Sequence, residues 1–219
     1  MLHAETVTPG TLSLIKSVQS KPYAADFLLV GGTALALQMG HRTSIDLDFF
    51  SNKQFNVGEL MVHLQQDYRV TIKNRMHHAL LLEMDTIKVD FVYQPSEMLE
   101  NPAVIEEIRM ATTLEIAAMK VGAITARGRK RDFVDLFSLL NYYALPQILS
   151  AFLKKYPEAT MELAMRSLFY FEDADQDPDP HCFFDFNWTD VKVRIKLEAS
   201  KLETQYSIKL LGNFSLCPH

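Results

Sequence analysis

Apolar and polar residues alternate along Ile45-Asp46-Leu47-Asp48-Phe49. That period of two predicts a half-buried strand over Ile45 to Phe50, with Asp46 and Asp48 on one face. The period returns from Ile87 to Tyr93, where Val89 and Phe91 face away from Asp90. Tyr68 to Lys73 and Ala79 to Met84 read as two further strands, and a turn at Asp85-Thr86 joins the second of them to the Asp90 strand. Earlier in the chain, Phe27 to Val30 is a short apolar run ending in Gly31-Gly32. Thr33 to Met39 then has helix-forming composition up to Gly40, which gives strand, tight turn and helix.

Helical signals flank this region. Thr8 can cap a helix running to Ser20 with Pro9 at its first position, and Asn56 can cap another through about Gln66. From Thr112 the apolar period becomes helical, and Thr112 with Glu115 forms a capping-box pattern. Gly128 breaks that helix, Lys130 to Tyr143 forms the next, and Pro146 and Pro157 open two more, the last reaching about Phe171. Glu172 to Pro180 reads as an acidic, proline-bearing loop. Thr189 caps a final predicted helix through Lys201, and the tail after Tyr206 gives no signal. The change of period divides the chain into a part with strands, residues 1–110, and a helical lobe, residues 111–219. The expected class is α/β, with a small mixed sheet and helices on one side.

Composition narrows the function classes. The 219 residues are 48% hydrophobic and 22% charged, as in a globular chain with a sizeable core. No run approaches the ~20 apolar residues of a membrane span, and no basic flank precedes an apolar stretch near Met1, so a cytoplasmic protein is expected. Cys182 and Cys217 match no metal-ligand spacing and read as free thiols. A net charge of −5 opposes general binding to a nucleic-acid backbone. The one dense basic run, Arg127-Gly128-Arg129-Lys130-Arg131, reads on its own as a solvated turn between helices.

The chemistry lies in how the carboxylates and the glycines combine. Gly31-Gly32 alone is an ordinary strand-to-helix turn, and Asp46 with Asp48 alone is an ordinary polar strand face. Together they differ, because N–H groups at a helix N-terminus favour a phosphate while paired carboxylates favour the cation that accompanies it. Asp90 completes a set of three if its strand lies beside the first. Oxygen-only ligands select magnesium or manganese. Lys120 and Arg127 are two helical turns apart and share a face, as do Asp132 and Asp135. Arg42 is read either as a bidentate phosphate ligand or as a structural ion pair, with His41 orienting an acidic neighbour. Ser44, two residues before Asp46 on the same strand face, is read either as a hydroxyl near the metal ligands or as an ordinary polar strand position. His77-His78 and Trp188 read as structural.

Gly-Gly, thirteen intervening residues, Asp-Leu-Asp and a later Val-Asp-Phe resemble the signature of the polymerase-β nucleotidyltransferase superfamily. More narrowly, Val30 to Leu35 with His41 to Phe50 resembles the AbiEii/AbiGii toxin group, the nucleotidyltransferase-like half of some bacterial toxin–antitoxin systems. The likeness continues through Glu115 to Lys120 and Arg131 to Leu136.

The resemblance implies a polymerase-β-like fold and a magnesium-dependent enzyme (manganese serving equally) that moves a nucleoside monophosphate from a nucleoside triphosphate (NTP) to an RNA or protein hydroxyl. It implies Asp46, Asp48 and Asp90 as metal ligands and catalytic groups, with Lys120 on the triphosphate. Asp132 and Asp135 would position that lysine. Gly31, Gly32, Thr33, Arg42, Ser44 and Asp135 join Lys120 around the nucleotide. Candidate partners are a transfer RNA or protein acceptor and a cognate antitoxin, and no membrane. Kinase-like phosphoryl transfer and a non-catalytic nucleotide-binding module are the alternatives.

Overall fold

The computed structural model describes residues 1–214, so Cys217 lies outside the described residues. After a first helix, α1 (Pro9–Gln19), come β1 (Leu28–Val30), α2 (Gly31–Met39), β2 (Leu47–Ser51), α3 (Val57–Asp67), β3 (Val70–Met76), β4 (Ala79–Met84) and β5 (Ile87–Tyr93). A hairpin of β6 (Ala103–Ile105) and β7 (Ile108–Met110) precedes α4 (Thr113–Ala126), α5 (Lys130–Leu139), α6 (Leu145–Lys155), α7 (Met161–Phe169), α8 (Glu172–Asp175) and α9 (Trp188–Phe214).

All seven strands form one mixed sheet in the order β3-β4-β5-β2-β1-β7-β6. β2 pairs with β5 in parallel, and β1 with β7, while the other neighbours are antiparallel. The β2–β5 register sets Asp48 opposite Asp90 and Phe49 opposite Phe91. Alternation along both strands therefore sends the two phenylalanines to one face and the two aspartates to the other. Phe49 and Phe91 are fully buried and stack with centroids 5.2 Å apart, and Phe27 meets Phe91 edge-on at 5.1 Å. This aromatic layer fixes the register, because a slip of one residue would put a carboxylate into the core.

The sheet is larger than the small one expected, by the β6–β7 hairpin. Its turn, Glu106-Glu107, has φ of +49° and +69° without glycine or asparagine, so the usual sign of a two-residue hairpin is missing. The expected strand from Ile45 begins only at Leu47, and Ile45 is 68% exposed in the segment before it.

Helix boundaries shift for local reasons. α7 opens at Thr160, whose Oγ1 accepts from the Leu163 N–H (3.2 Å), rather than at Pro157. A short helix, α8, lies inside the expected acidic loop. Asn187, not Thr189, caps α9, accepting from the Thr189 N–H at 2.8 Å. Thr112 does cap α4, but Glu115 does not return to complete a capping box. Its Oε2 accepts from the Leu99 N–H (2.7 Å), and its Oε1 pairs with Lys155 in the interior. Among the described residues no helix is long and apolar enough to cross a membrane.

Candidate active site

The turn from β1 into α2 approaches β2 closely. Gly31 has φ of +69°, and a Cβ there would lie 2.5 Å from Asp48 Oδ2. At Gly32 a Cβ would lie 2.6 Å from Arg42 Nη2. Glycine is thus required twice, once for a left-handed backbone and contact with a carboxylate, once for contact with a guanidinium. No side chain caps the N-terminus of α2.

Asp48 and Asp90 stand side by side across the parallel strands. Burial pushes the Asp48 carboxyl up, and the neighbouring Asp90 adds to the push. Asp90 Oδ2 meets Lys88 at 3.1 Å, whereas its Oδ1 is buried with no hydrogen-bond partner among the described residues. Asp46, just ahead of β2, turns toward Arg131 Nη1 (3.3 Å). Its carbonyl oxygen accepts from the Thr33 hydroxyl, which also lies 2.9 Å from Ser44 Oγ. Thr33 is fully buried and tethers this segment from below, and Ser44 lines the cleft.

Beside the carboxylates lies a buried charge network. Asp135, on α5, accepts from Arg42 Nε (2.6 Å) and Nη2 (2.8 Å), accepts from His41 Nε2 (2.7 Å), and meets Lys120 Nζ at 2.5 Å. Lys120 also donates to Asp132 (2.8 Å), which takes a longer bond from Arg127 (3.3 Å). Burial alone would raise Asp135, but Arg42 and Lys120 hold it well below the usual carboxylate range. Burial alone would lower Lys120, and Asp135 and Asp132 hold it above the usual lysine range. Both carboxylates are completely buried. Of the two readings of Arg42, the ion pair describes its guanidinium here, although the side chain still borders the cleft.

These groups line a cleft of about 320 Å³. Gly31, Gly32, Arg42, Ser44, Asp46, Asp48, Asp90 and Lys120 all border it, while Thr33 and Asp135 support it from behind. Arg127 and Arg131 border it as well. The basic run is therefore split, since Arg129 and Lys130 instead pair with Asp177 (2.7 Å) and Asp179 (2.9 Å) of the acidic segment. Arg127 closes α4 and Arg131 lies in the first turn of α5, so it is the break at Gly128 between the two helices, not helical spacing, that brings both to the cleft. The far wall of the cleft, which sequence reasoning missed, is apolar: Phe50, Val92, Met119, Ala123 and Tyr156. Burial, helped by Glu115, pushes the Tyr156 phenol up to about 12, so it stays neutral. A larger, more open depression of about 710 Å³ beside Asn56 and Arg75 is lined by no carboxylate.

Among the described residues no three acidic, histidine or cysteine side chains are gathered into a ready ligand cluster. The donor set nonetheless fits a hard divalent cation. Asp48 and Asp90 are adjacent, Asp90 Oδ1 has no partner among the described residues, and Gly31 leaves room above Asp48. Asp46 would join them on leaving Arg131.

Such a sheet, with an aspartate pair beneath a glycine turn and cations on the facing helices, defines the class as a nucleotidyltransferase of polymerase-β-like fold. The chain belongs to the AbiEii family, whose model, described as nucleotidyl transferase AbiEii toxin of a type IV toxin–antitoxin system, matches residues 14–203. It is 34% identical over 169 residues to an uncharacterised protein of Aquifex aeolicus, covering 74% of this chain and 82% of that one. Two solved structures share the fold. A putative nucleotidyltransferase from Helicobacter pylori has a TM-score of 0.54 at 21% identity, over 90% of this chain and 98% of that one. MenT4, a nucleotidyltransferase toxin from Mycobacterium tuberculosis, has a TM-score of 0.54 at 14% identity, over 85% and 82%.

Proposed function

We propose that the chain transfers a nucleoside monophosphate from an NTP to a hydroxyl of an RNA or protein acceptor, as the toxin of a toxin–antitoxin pair. In this reading residues 1–110 form the catalytic part and residues 111–219 a helical lobe that brings Lys120 to it. The observation that carries the reading is the pairing of Asp48 with Asp90 directly under Gly31. A helix N-terminus with no side-chain cap is thereby placed against a carboxylate pair, an arrangement suited to an anion accompanied by a divalent cation.

Magnesium or manganese held by Asp48, Asp90 and Asp46 would supply positive charge for the α-phosphate and for the attacking oxygen. The chain's own residues supply position and charge. The Gly31-Gly32 turn receives the triphosphate. Lys120, Arg127 and Arg131, with Arg42 behind them, offset the charge that builds on the departing pyrophosphate. Lys120, Arg42 and Arg127 number three cations against two carboxylates, Asp132 and Asp135, which leaves the network one positive charge in excess.

The test is incubation with cell extract and an NTP labelled at either the α- or the γ-phosphate. Entry of α-label into RNA or protein, dependent on magnesium and lost in Asp48→Asn, supports nucleotidyl transfer. Entry of γ-label alone would replace it with phosphoryl transfer.

A further inference from the structure

The cleft changes character along its length. Phe50 and Val92 follow Asp48 and Asp90 by two residues on the same faces of β2 and β5, and they too are opposite each other in register. Two residues of strand put this apolar pair about 7 Å beyond the carboxylates. Met119 and Tyr156 line the cleft from the helical side, and Met119 meets Phe50 again in the neighbouring cavity. The Tyr156 ring lies against α4 at Gly122, where a Cβ would come within 3.2 Å of it, so the glycine makes room for the ring.

Beyond this stretch the lining stays mainly apolar, with a few polar groups set into it. A narrow cavity of about 30 Å³ shares Val30, Phe50 and Met119 with the cleft and is bordered by Gln94, Ser96 and the buried Lys155–Glu115 pair. Lys155 Nζ donates to Ser96 Oγ at 3.0 Å. A charged zone at Gly31 thus gives way to an apolar one in which Gln94 and Ser96 are the nearest polar groups along β5 and the segment after it.

We propose that the Phe50–Val92 floor, bordered by Met119 and Tyr156, is the seat of the nucleobase of the triphosphate substrate, with the base's polar edge turned toward Gln94 and Ser96. The inference rests on the nucleotidyl-transfer reading and assigns the apolar wall to the donor nucleotide rather than to the acceptor. A flat aromatic face on an apolar floor beside a tyrosine ring gains from stacking and from leaving water. A triphosphate without a base gains nothing there.

Inorganic tripolyphosphate separates the two zones, because it reaches the charged end alone. Isothermal titration of the full chain in magnesium, with tripolyphosphate and with each ribonucleoside triphosphate in turn, should show at least one nucleotide binding about tenfold or more tightly than tripolyphosphate. Val92→Trp, which fills the floor, should remove that margin while tripolyphosphate affinity stays within about twofold. Tyr156→Ala provides a second route by shortening the wall, with thermal unfolding confirming that each variant is folded. Equal binding of nucleotide and tripolyphosphate by the unaltered chain overturns the base seat and leaves nucleotidyl transfer standing. So does an unchanged margin in both folded variants. Binding of neither ligand overturns nucleotidyl transfer, and the base seat with it.

Discussion

Arg42 and Asp135 form a two-pronged ion pair inside the protein, 2.6 and 2.8 Å long, across 93 positions of sequence. Asp135 also bears His41 and Lys120 and has no exposed surface. Asp135→Asn should therefore cost about 3–5 kcal/mol, because it leaves buried cations short of charge. Denaturant unfolding at neutral pH measures the loss. The pH dependence has a definite sign. The folded carboxyl lies well below its ordinary value of 3.8, so the unfolded chain binds the extra proton. The pair's contribution is complete above that value and fades as pH falls toward the folded one. The variant should lack this acid-side decline.

Asp48→Asn should abolish transfer yet leave the chain folded, since the core depends on Phe49 and Phe91 rather than on the aspartates between them. The Asp48 carboxyl is raised by burial and by Asp90, so the charged form costs stability at neutral pH. Without divalent ions the variant should be as stable as the natural chain or up to about 1 kcal/mol more stable. Thermal unfolding in chelator reads this, and a large loss of stability would contradict it.

Gly31→Ala meets two obstacles, a φ of +69° and a Cβ 2.5 Å from Asp48 Oδ2. The backbone alone should cost about 1–2 kcal/mol. The displaced carboxylate should end transfer and weaken manganese binding, which titration monitored by electron paramagnetic resonance would follow. Unchanged metal affinity would separate Gly31 from the site.

Ser44 lies two residues before Asp46 at the cleft, with the Thr33 hydroxyl 2.9 Å away. Ser44→Glu adds negative charge beside carboxylates that already need cations. It should bind magnesium nucleotide poorly, while Ser44→Ala stays active. Full activity in the glutamate variant would separate Ser44 from the metal and nucleotide site.

The strands carrying Asp48 and Asp90 were legible because a period of two is unambiguous when phenylalanine and valine alternate with aspartate. Their adjacency was not, because parallel pairing is set by the whole sheet and no local signal carries it. The same holds for the pairing of Asp46 with Arg131, 85 positions apart. Lys120 shows a subtler gap. Its distance from Arg127 pointed to a shared face, but only packing shows that its ammonium is buried between Asp132 and Asp135 as well as bordering the cleft. The apolar wall was invisible as a site, since Phe50, Val92 and Met119 look like core residues in any alternating or helical pattern.

The span between Arg42 and Asp135 also bears on how the protein is made. At about 5–20 residues per second, a ribosome needs roughly 5–20 s to travel from one to the other. Through that interval the nascent chain has its glycine turn, soon Asp46 and Asp48, and later Asp90, while Arg42 still waits for the carboxylate that will hold it. Until α5 has emerged and docked the cleft lacks its buried charge network, so the site is completed late in synthesis rather than with the strands that bear its aspartates.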